Sequence, residues 1–253
     1  MTAEALIADR LPVRHGFFTR RGGISEGPYA SLNCSLTGED RREAVLENRT
    51  RVAQALGLAP DRLLGLTQVH GTEVVQVYAP WATGDGPRGD ALVCAQPGLG
   101  LGIVTADCAP VLFADPAAGV IGAAHAGWRG AVSGILEATL AAMVGLGARM
   151  PRMSAAIGPC IGYASYEVGA DLRDAVLAHS QAGASFFTSS EREGRWLFDL
   201  RGYCAARLAA AGLRRVQVLE ADTATDAERF FSHRRRTLAG GGPIGHQISV
   251  IAL

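Results

Sequence analysis

The sequence predicts a single domain of mixed α and β structure built on mixed sheets, and three observations predict it. Short apolar runs alternate with stretches of helical periodicity along the whole chain. The central runs, Ala91 to Ala95, Leu99 to Thr105, Pro110 to Ala114 and Val120 to His125, are apolar at consecutive positions, the pattern of strands covered on both faces. No internal repeat, low-complexity linker or composition break interrupts residues 1–253, so one domain is expected over the whole chain.

Taken in order, Phe17-Phe18-Thr19-Arg20 reads as a short strand running into the turn Arg21-Gly22-Gly23. From Asp40 to Leu56, apolar residues at 45, 46, 52, 53 and 56 have the spacing of an amphipathic helix, closed by Gly57 and Pro60. Leu63 to Val69 and Glu73 to Tyr78 read as strands flanking the His70-Gly71 turn. After the polar loop from Pro80 to Gly89 come the four central runs, then a helix from about Gly130 to Leu146. The second half predicts strands at Met153 to Ile157, Trp196 to Asp199, Val216 to Leu219 and Gln247 to Ala252, with helices at Gly169 to Ser180 and Leu200 to Ala211.

Composition narrows the chemistry. A chain of 253 residues that is 48% hydrophobic and 19% charged can bury a sizeable core. Its formal net charge of zero removes the electrostatic footprint of a general nucleic-acid or anionic-lipid binder. All 24 Lys+Arg positions are arginine, so a lysine Schiff base, a lysine general base and a P-loop lysine are excluded, and anions must be met by guanidinium groups or backbone amides. The five cysteines are scattered, odd in number and without a C-x-x-C pair, which fits free thiols in a reducing compartment. The N-terminal residues have no apolar block of a signal peptide and no run approaches the roughly 20 residues of a membrane span. A cytoplasmic protein with small-molecule partners is expected, as a monomer or small homo-oligomer.

The chemistry-bearing residues collect at the ends of the central runs. Thr105-Ala106-Asp107-Cys108 places a thiol after one strand, and His125-Ala126-Gly127-Trp128-Arg129-Gly130 places an imidazole after another. Thr67-Gln68-Val69-His70-Gly71 adds a second imidazole at a turn. Each alone is weak, since a buried Cys is usually a small hydrophobe. Together, His70, Cys108 and His125 have the chemistry of a three-ligand cage for a catalytic Zn²⁺, leaving the fourth position open. Arg129, at the start of a helix, and Arg20, beside a glycine turn, are the candidate phosphate contacts. Asp90, Asp107 and Glu167 are the carboxylates able to orient a ligand histidine or to act as general acid or base. Several templates are excluded: H-E-x-x-H, G-x-S-x-G and the Walker loop are absent, and Pro159-Cys160 does not complete the deaminase pattern P-C-x-x-C.

The motifs Thr67-Gln68-Val69-His70-Gly71, Thr105-Ala106-Asp107-Cys108, His125-Ala126-Gly127-Trp128-Arg129-Gly130, Ile157-Gly158-Pro159-Cys160-Ile161-Gly162 and Phe230-Phe231-Ser232-His233-Arg234-Arg235 closely resemble the bacterial laccase-domain family. Its members carry the labels polyphenol oxidase, purine nucleoside phosphorylase and peptidoglycan editing factor. The resemblance implies a single α+β domain with layered mixed β-sheets flanked by helices, and zinc on His70, Cys108 and His125. It also implies phosphorolysis of adenosine, inosine and methylthioadenosine, and deamination of adenosine. In that reading Arg20, Gln68, Asp90 and Arg129 contact nucleoside or phosphate, and Glu167 or a histidine is the general acid.

Two positions depart from the family pattern: Asp222-Thr223 stands where Cys-Thr is common, and Gly245-His246-Gln247 replaces Gly-Arg-Gln. The alternatives are a phenol oxidase with Cu²⁺ at the same residues, a metal-free hydrolase using Cys108 with His125, and a partner in peptidoglycan-precursor editing. Against the first, multicopper sites need H-x-H pairs and more than six histidines.

Overall fold

Strand pairing in the computed structural model, which describes residues 2–253, produces three sheets. The chain runs β1 (Ala5–Leu6), β2 (Arg14–Phe18), α1 (Arg42–Ala55), β3 (Leu63–Leu64), β4 (Val74–Val77), β5 (Ala91–Cys94), β6 (Gly100–Thr105), β7 (Ala109–Asp115) and β8 (Val120–Ala126). It continues through α2 (Trp128–Ser133), α3 (Ile135–Gly145), β9 (Ser154–Ile157), β10 (Glu167–Val168), α4 (Ala170–His179), β11 (Phe187–Ser189) and β12 (Trp196–Phe198). The last elements are α5 (Leu200–Ala210), β13 (Arg215–Val218), α6 (His233–Leu238) and β14 (Gln247–Ala252).

The largest sheet has the order β13-β9-β7-β8-β5-β4, the second β1-β2-β14-β6-β3, and a small third one β10-β12-β11. Pairs β13·β9, β4·β5 and β3·β6 are parallel and the others antiparallel, so both large sheets are mixed. This is the expected single-domain α+β fold.

Every residue of β5, β7, β8 and β9 is buried. The alternation of side chains explains why these runs read as continuously apolar. Val111, Phe113, Val120 and Ala124 pack with Leu136 and Leu140 of α3 and Leu208 of α5. Their neighbours Leu112, Ala114, Ile121 and Ala123 face the other large sheet, against Leu101, Ile103 and Ile251. Beyond that sheet, Phe18, Ile248 and Val250 lie under Val52 and Ala53 of α1. The order is therefore helix, sheet, sheet, helices. Phe113 is fully buried, and truncating such a side chain to Ala costs about 3–5 kcal/mol.

The strand expected over Phe17 to Arg20 instead runs Arg14–Phe18, with Thr19 and Arg20 beyond its end, and two further expected elements are altered for identifiable reasons. The strand expected over Leu63 to Val69 ends at Leu64. Further along, the Gln68 side chain replaces a peptide group against β6: its amide donates to Val104 O at 2.8 Å and accepts from Val104 N at 2.9 Å. The helix expected from Gly130 to Leu146 is split into α2 and α3 at Gly134, whose φ of 104° is left-handed. Helix α6 and the short strands β1, β10 and β11 were not expected.

Candidate metal centre

His70, Cys108 and His125 converge from two connections and one strand end onto the wall of one cavity. His125 is the penultimate residue of β8, Cys108 sits in the turn between β6 and β7, and His70 lies in the loop between β3 and β4. Their donor atoms all lie within 4.8 Å of one another. The imidazole rings meet edge to face with centroids 4.7 Å apart.

Asp90, fully buried just before β5, holds both histidines. Its Oδ1 accepts from His125 Nδ1 at 2.8 Å and from the His70 backbone N–H at 2.9 Å, and its Oδ2 from Gly71 N–H at 2.7 Å. With its Nδ1–H donated to Asp90, His125 is oriented with Nε2 toward the other two donors, an arrangement common among metal-binding histidines. The three donors are the soft and borderline set that suits Zn²⁺ or copper. They fit the metal that the residues imply.

In the metal-free chain the same contacts set up a thiolate–imidazolium pair, and a metal would take the place of the His125 Nε2 proton. Burial pushes the Cys108 thiol up, but the His125 charge and hydrogen bonds from both imidazoles bring it down to about 6. Burial pushes His125 down, while the Cys108 charge and Asp90 raise it to about 9. Burial acts to raise Asp90, and its bonds from His125, Gly71 and His70 outweigh that and lower it. The thiolate is the ligating form.

Backbone conformation concentrates here too. His70 and Asp107 have φ of 61° and 91°, the two non-glycine residues with positive φ among those described. Such conformations cost on the order of 1–3 kcal/mol and persist where surroundings over-determine them. Asp90 clamps the first. The second is held through Asp107, whose Oδ1 accepts from Thr223 Oγ1 at 2.6 Å and whose Oδ2 accepts from Ser232 Oγ at 3.0 Å and Arg234 N at 2.6 Å. Gly127 leaves room for the set: a Cβ there would lie 3.0 Å from Cys108 Sγ and 3.1 Å from His70 Cδ2.

The cavity has a volume of about 480 Å³, and its wall includes Arg49, Gln68, Arg129, Tyr166, His233, Arg234 and His246. Arg129 is exposed, lies over the Trp128 ring at 4.4 Å, and has no hydrogen bond or ion pair among the described residues. Helix α2 has only six residues, so anion attraction at its start rests on Arg129 itself.

Three expected contacts are not on this wall. Arg20 is spent on Ala30 O at 2.6 Å and Ala227 O at 3.1 Å and lies over Phe231. Asp90 is buried beneath the centre with its oxygens occupied, so it positions the histidines rather than touching a ligand. Glu167 faces a different surface hollow, where Ser190 donates at 2.6 Å and Arg192 pairs at 2.8 Å. The Ser190 bond and the Arg192 charge hold its carboxyl below the ordinary range against the opposing effect of burial, which leaves it ionised at neutral pH and unsuited to donate a proton.

Of the departures, Asp222 accepts from Gly162 N–H at 2.9 Å and Ser165 Oγ at 2.6 Å, a structural role. His246 lines the cavity with its Nδ1 buried and unpartnered. Burial, then the charges of His125, His233 and Arg236, push it down to about 4. Arg49 escaped the sequence reading although a signal was present: Asn48 and Arg49 fall on the face of α1 that buries Val45 and Val52.

Comparison with known proteins follows the same line. The family described as multi-copper polyphenol oxidoreductase laccase matches residues 14–253. The chain belongs to that family. A purine nucleoside phosphorylase of Deinococcus radiodurans is 47% identical over 258 residues, covering 100% of this chain and 95% of the relative. A purine nucleoside phosphorylase of Pseudomonas aeruginosa is 38% identical over 228 residues, covering 90% of each. Among solved structures, Bacillus licheniformis YfiH superposes with a TM-score of 0.86 at 30% identity, covering 94% of this chain and 92% of that one. A Neisseria meningitidis protein designated DUF152 has a TM-score of 0.84 at 35% identity, covering 100% and 98%. The relatives' names speak for a nucleoside-handling enzyme, and no helix among the described residues is long and apolar enough to cross a membrane.

Proposed function

We propose that the protein is a zinc-dependent purine nucleoside phosphorylase acting on adenosine, inosine and methylthioadenosine, with adenosine deamination as a second reaction at the same site. The observation that carries this reading is the convergence of His70, Cys108 and His125 on a cavity large enough for a nucleoside and an anion, in a chain whose relatives are named for that activity. His70, Cys108 and His125 would hold the ion, which when bound supplies Lewis-acid polarisation near neutral pH.

In phosphorolysis a phosphate oxygen forms a bond to C1′ of the ribose while the bond from C1′ to the purine nitrogen breaks. The electron pair and a proton end on the purine, and ribose 1-phosphate is released. The chain's own residues would hold phosphate on guanidinium groups of the wall, exclude water around the sugar, and stack or bracket the base near Trp128 and Tyr166. His233 and His246 also line the cavity, but both are held below the ordinary imidazole value and are neutral at pH 7, so the proton taken up by the departing purine would come from solvent or phosphate rather than from a charged histidine. A phenol oxidase with several coppers finds less support, since His70, Cys108 and His125 are the one three-donor group of this kind among the described residues.

The test combines elemental analysis of protein purified without added metal with phosphate-dependent release of hypoxanthine from inosine and of ammonia from adenosine. Near one zinc per chain with phosphate-dependent release is expected, and Cys108→Ala should remove metal and activity together. Full activity in verified metal-free Cys108→Ala would sink the zinc reading. Copper near stoichiometry with oxygen uptake on phenols would replace it.

A further inference from the structure

The inner end of the cavity holds a buried cation with no counter-ion. Arg49, two turns into α1, is 6% exposed. Its Nη1 donates to Cys34 O at 3.2 Å and its Nη2 to Leu63 O at 3.3 Å, and no carboxylate pairs with it among the described residues. A guanidinium carries five N–H donors and does not shed its charge at accessible pH, so it needs an anion or solvent for the remaining donors. Burial presses its pKa below the ordinary value, with only Cys34 acting the other way.

The surroundings are shaped for an oxyanion. Gly65 keeps Nη2 open, since a Cβ there would lie 3.3 Å from it. Ser35 and Thr37 line the same end and share one hydroxyl contact at 3.3 Å, which leaves a proton or lone pair on each for a ligand. Asp107 is the one carboxylate on the cavity wall, and both its oxygens are occupied. Arg42, seven residues earlier and on the same helix face, borders a small adjoining hollow that Arg49 also lines, and its one hydrogen bond is to Thr83 O at 3.4 Å. Two guanidinium groups thus flank a region without acidic side chains.

We propose that Arg49, with the Ser35 and Thr37 hydroxyls, forms the subsite that binds inorganic phosphate. The proposal rests on the phosphorolytic reading, which supplies the role of the bound anion. Arg49 is a fork that suits a tetrahedral dianion in two-point contact, and the partly dry setting strengthens each bond relative to water.

The test uses the metal-loaded full chain and the variants Arg49→Lys, Arg49→Met and, as a control at an exposed arginine outside the cavity lining, Arg149→Met. Removing one charge-assisted contact of this kind corresponds to about a tenfold or greater loss in affinity. The expected result is that both Arg49 variants raise KM for phosphate about tenfold or more, with KM for inosine changed far less and Arg149→Met leaving the phosphate KM near that of the parent. A second readout is independent of turnover: inorganic phosphate titrated by calorimetry without nucleoside binds the parent and loses that affinity in the Arg49 variants. If Arg49→Met fails to fold, Gly65→Ala keeps the arginine and crowds Nη2, and the same loss of phosphate affinity is expected. Phosphate affinity unchanged in folded Arg49 and Gly65 variants overturns the assignment. So does Arg49-dependent binding of adenosine 5′-monophosphate without Arg49-dependent binding of inorganic phosphate. Arg49-dependent phosphate binding in a protein that releases no base would uphold the subsite and defeat the phosphorylase reading. Phosphorolysis with an unchanged phosphate KM in the variants would do the reverse.

Discussion

Replacing Asp90 with Asn should disarm the metal centre without touching a ligand. The carboxylate has no exposure, and its two oxygens accept from His125 Nδ1 at 2.8 Å, His70 N at 2.9 Å, Gly71 N at 2.7 Å and, more loosely, Val69 N at 3.2 Å. Donors face both oxygens, so an amide must turn its NH₂ toward one set of them. If the amide oxygen stays on His125 and His70, the NH₂ meets the Gly71 N–H and the His70 turn loses its anchor. If it flips, His125 loses the partner that holds its tautomer. Either way about two charge-assisted bonds go, each worth about 1.5–3 kcal/mol, for a destabilisation of about 3–6 kcal/mol. Loss of a partner that orients a ligating histidine typically lowers metal affinity about 10–100-fold. Urea unfolding of the metal-free protein reads the first quantity, and competition against a chelator of known affinity reads the second. Asp90→Asn within about 0.5 kcal/mol of the parent and with undiminished zinc affinity would refute the assignment of Asp90 as the group that holds both histidines.

Further outcomes follow from other positions. Gly127→Ala introduces a methyl about 3 Å from Cys108 Sγ and His70 Cδ2 at a φ of −67° that alanine tolerates; a folded protein with zinc affinity reduced about tenfold or more is expected, and normal zinc content would contradict the crowding argument. Gly158→Ala drives its Cβ into the ring of buried Phe17, so thermal and urea unfolding should show a loss of about 1–3 kcal/mol. His15 is buried, accepts from Ala8 N at 2.8 Å on Nε2 and contacts Val13 O at 2.7 Å through Nδ1, and burial lowers its pKa from 6.5 while the Val13 bond opposes this. Above 6.5 both folded and unfolded imidazoles are neutral; as pH falls below 6.5 the unfolded chain takes up the proton first. Stability should therefore decline with acid, by at most about 1.4 kcal/mol per pH unit from this group, and His15→Gln should flatten that part of the profile measured from pH 7 to 5. An unchanged slope in the variant would exclude His15 as its source.

Much of the fold was readable because its signals are local. Strands β5 to β8 announce themselves as runs of apolar residues, and α1, α4 and α5 through periodicity and terminal breakers. Two of the elements that differed did so where one residue carried the decision: Gly134 with its positive φ, and Gln68, whose side chain completes an edge that a strand was expected to fill. The short helix α6 had no such signal, because Ser232 caps it through Arg235 N–H and Asp107 anchors its first turn from 127 residues away.

The candidate site divides in the same way. His70, Cys108 and His125 were legible one by one, since each is a reactive side chain beside small residues at the end of an apolar run. By itself the sequence determined these donors, the strands that end at them, the absence of lysine and the family to which the chain belongs. Tertiary structure alone decided which other groups serve the site. Asp90 and Arg49 gain their roles, and Arg20 and Glu167 their places elsewhere, from contacts with segments distant in the chain. A charged side chain's function depends on what it is buried against, and that is settled by sheet register and layer packing rather than by its neighbours in sequence.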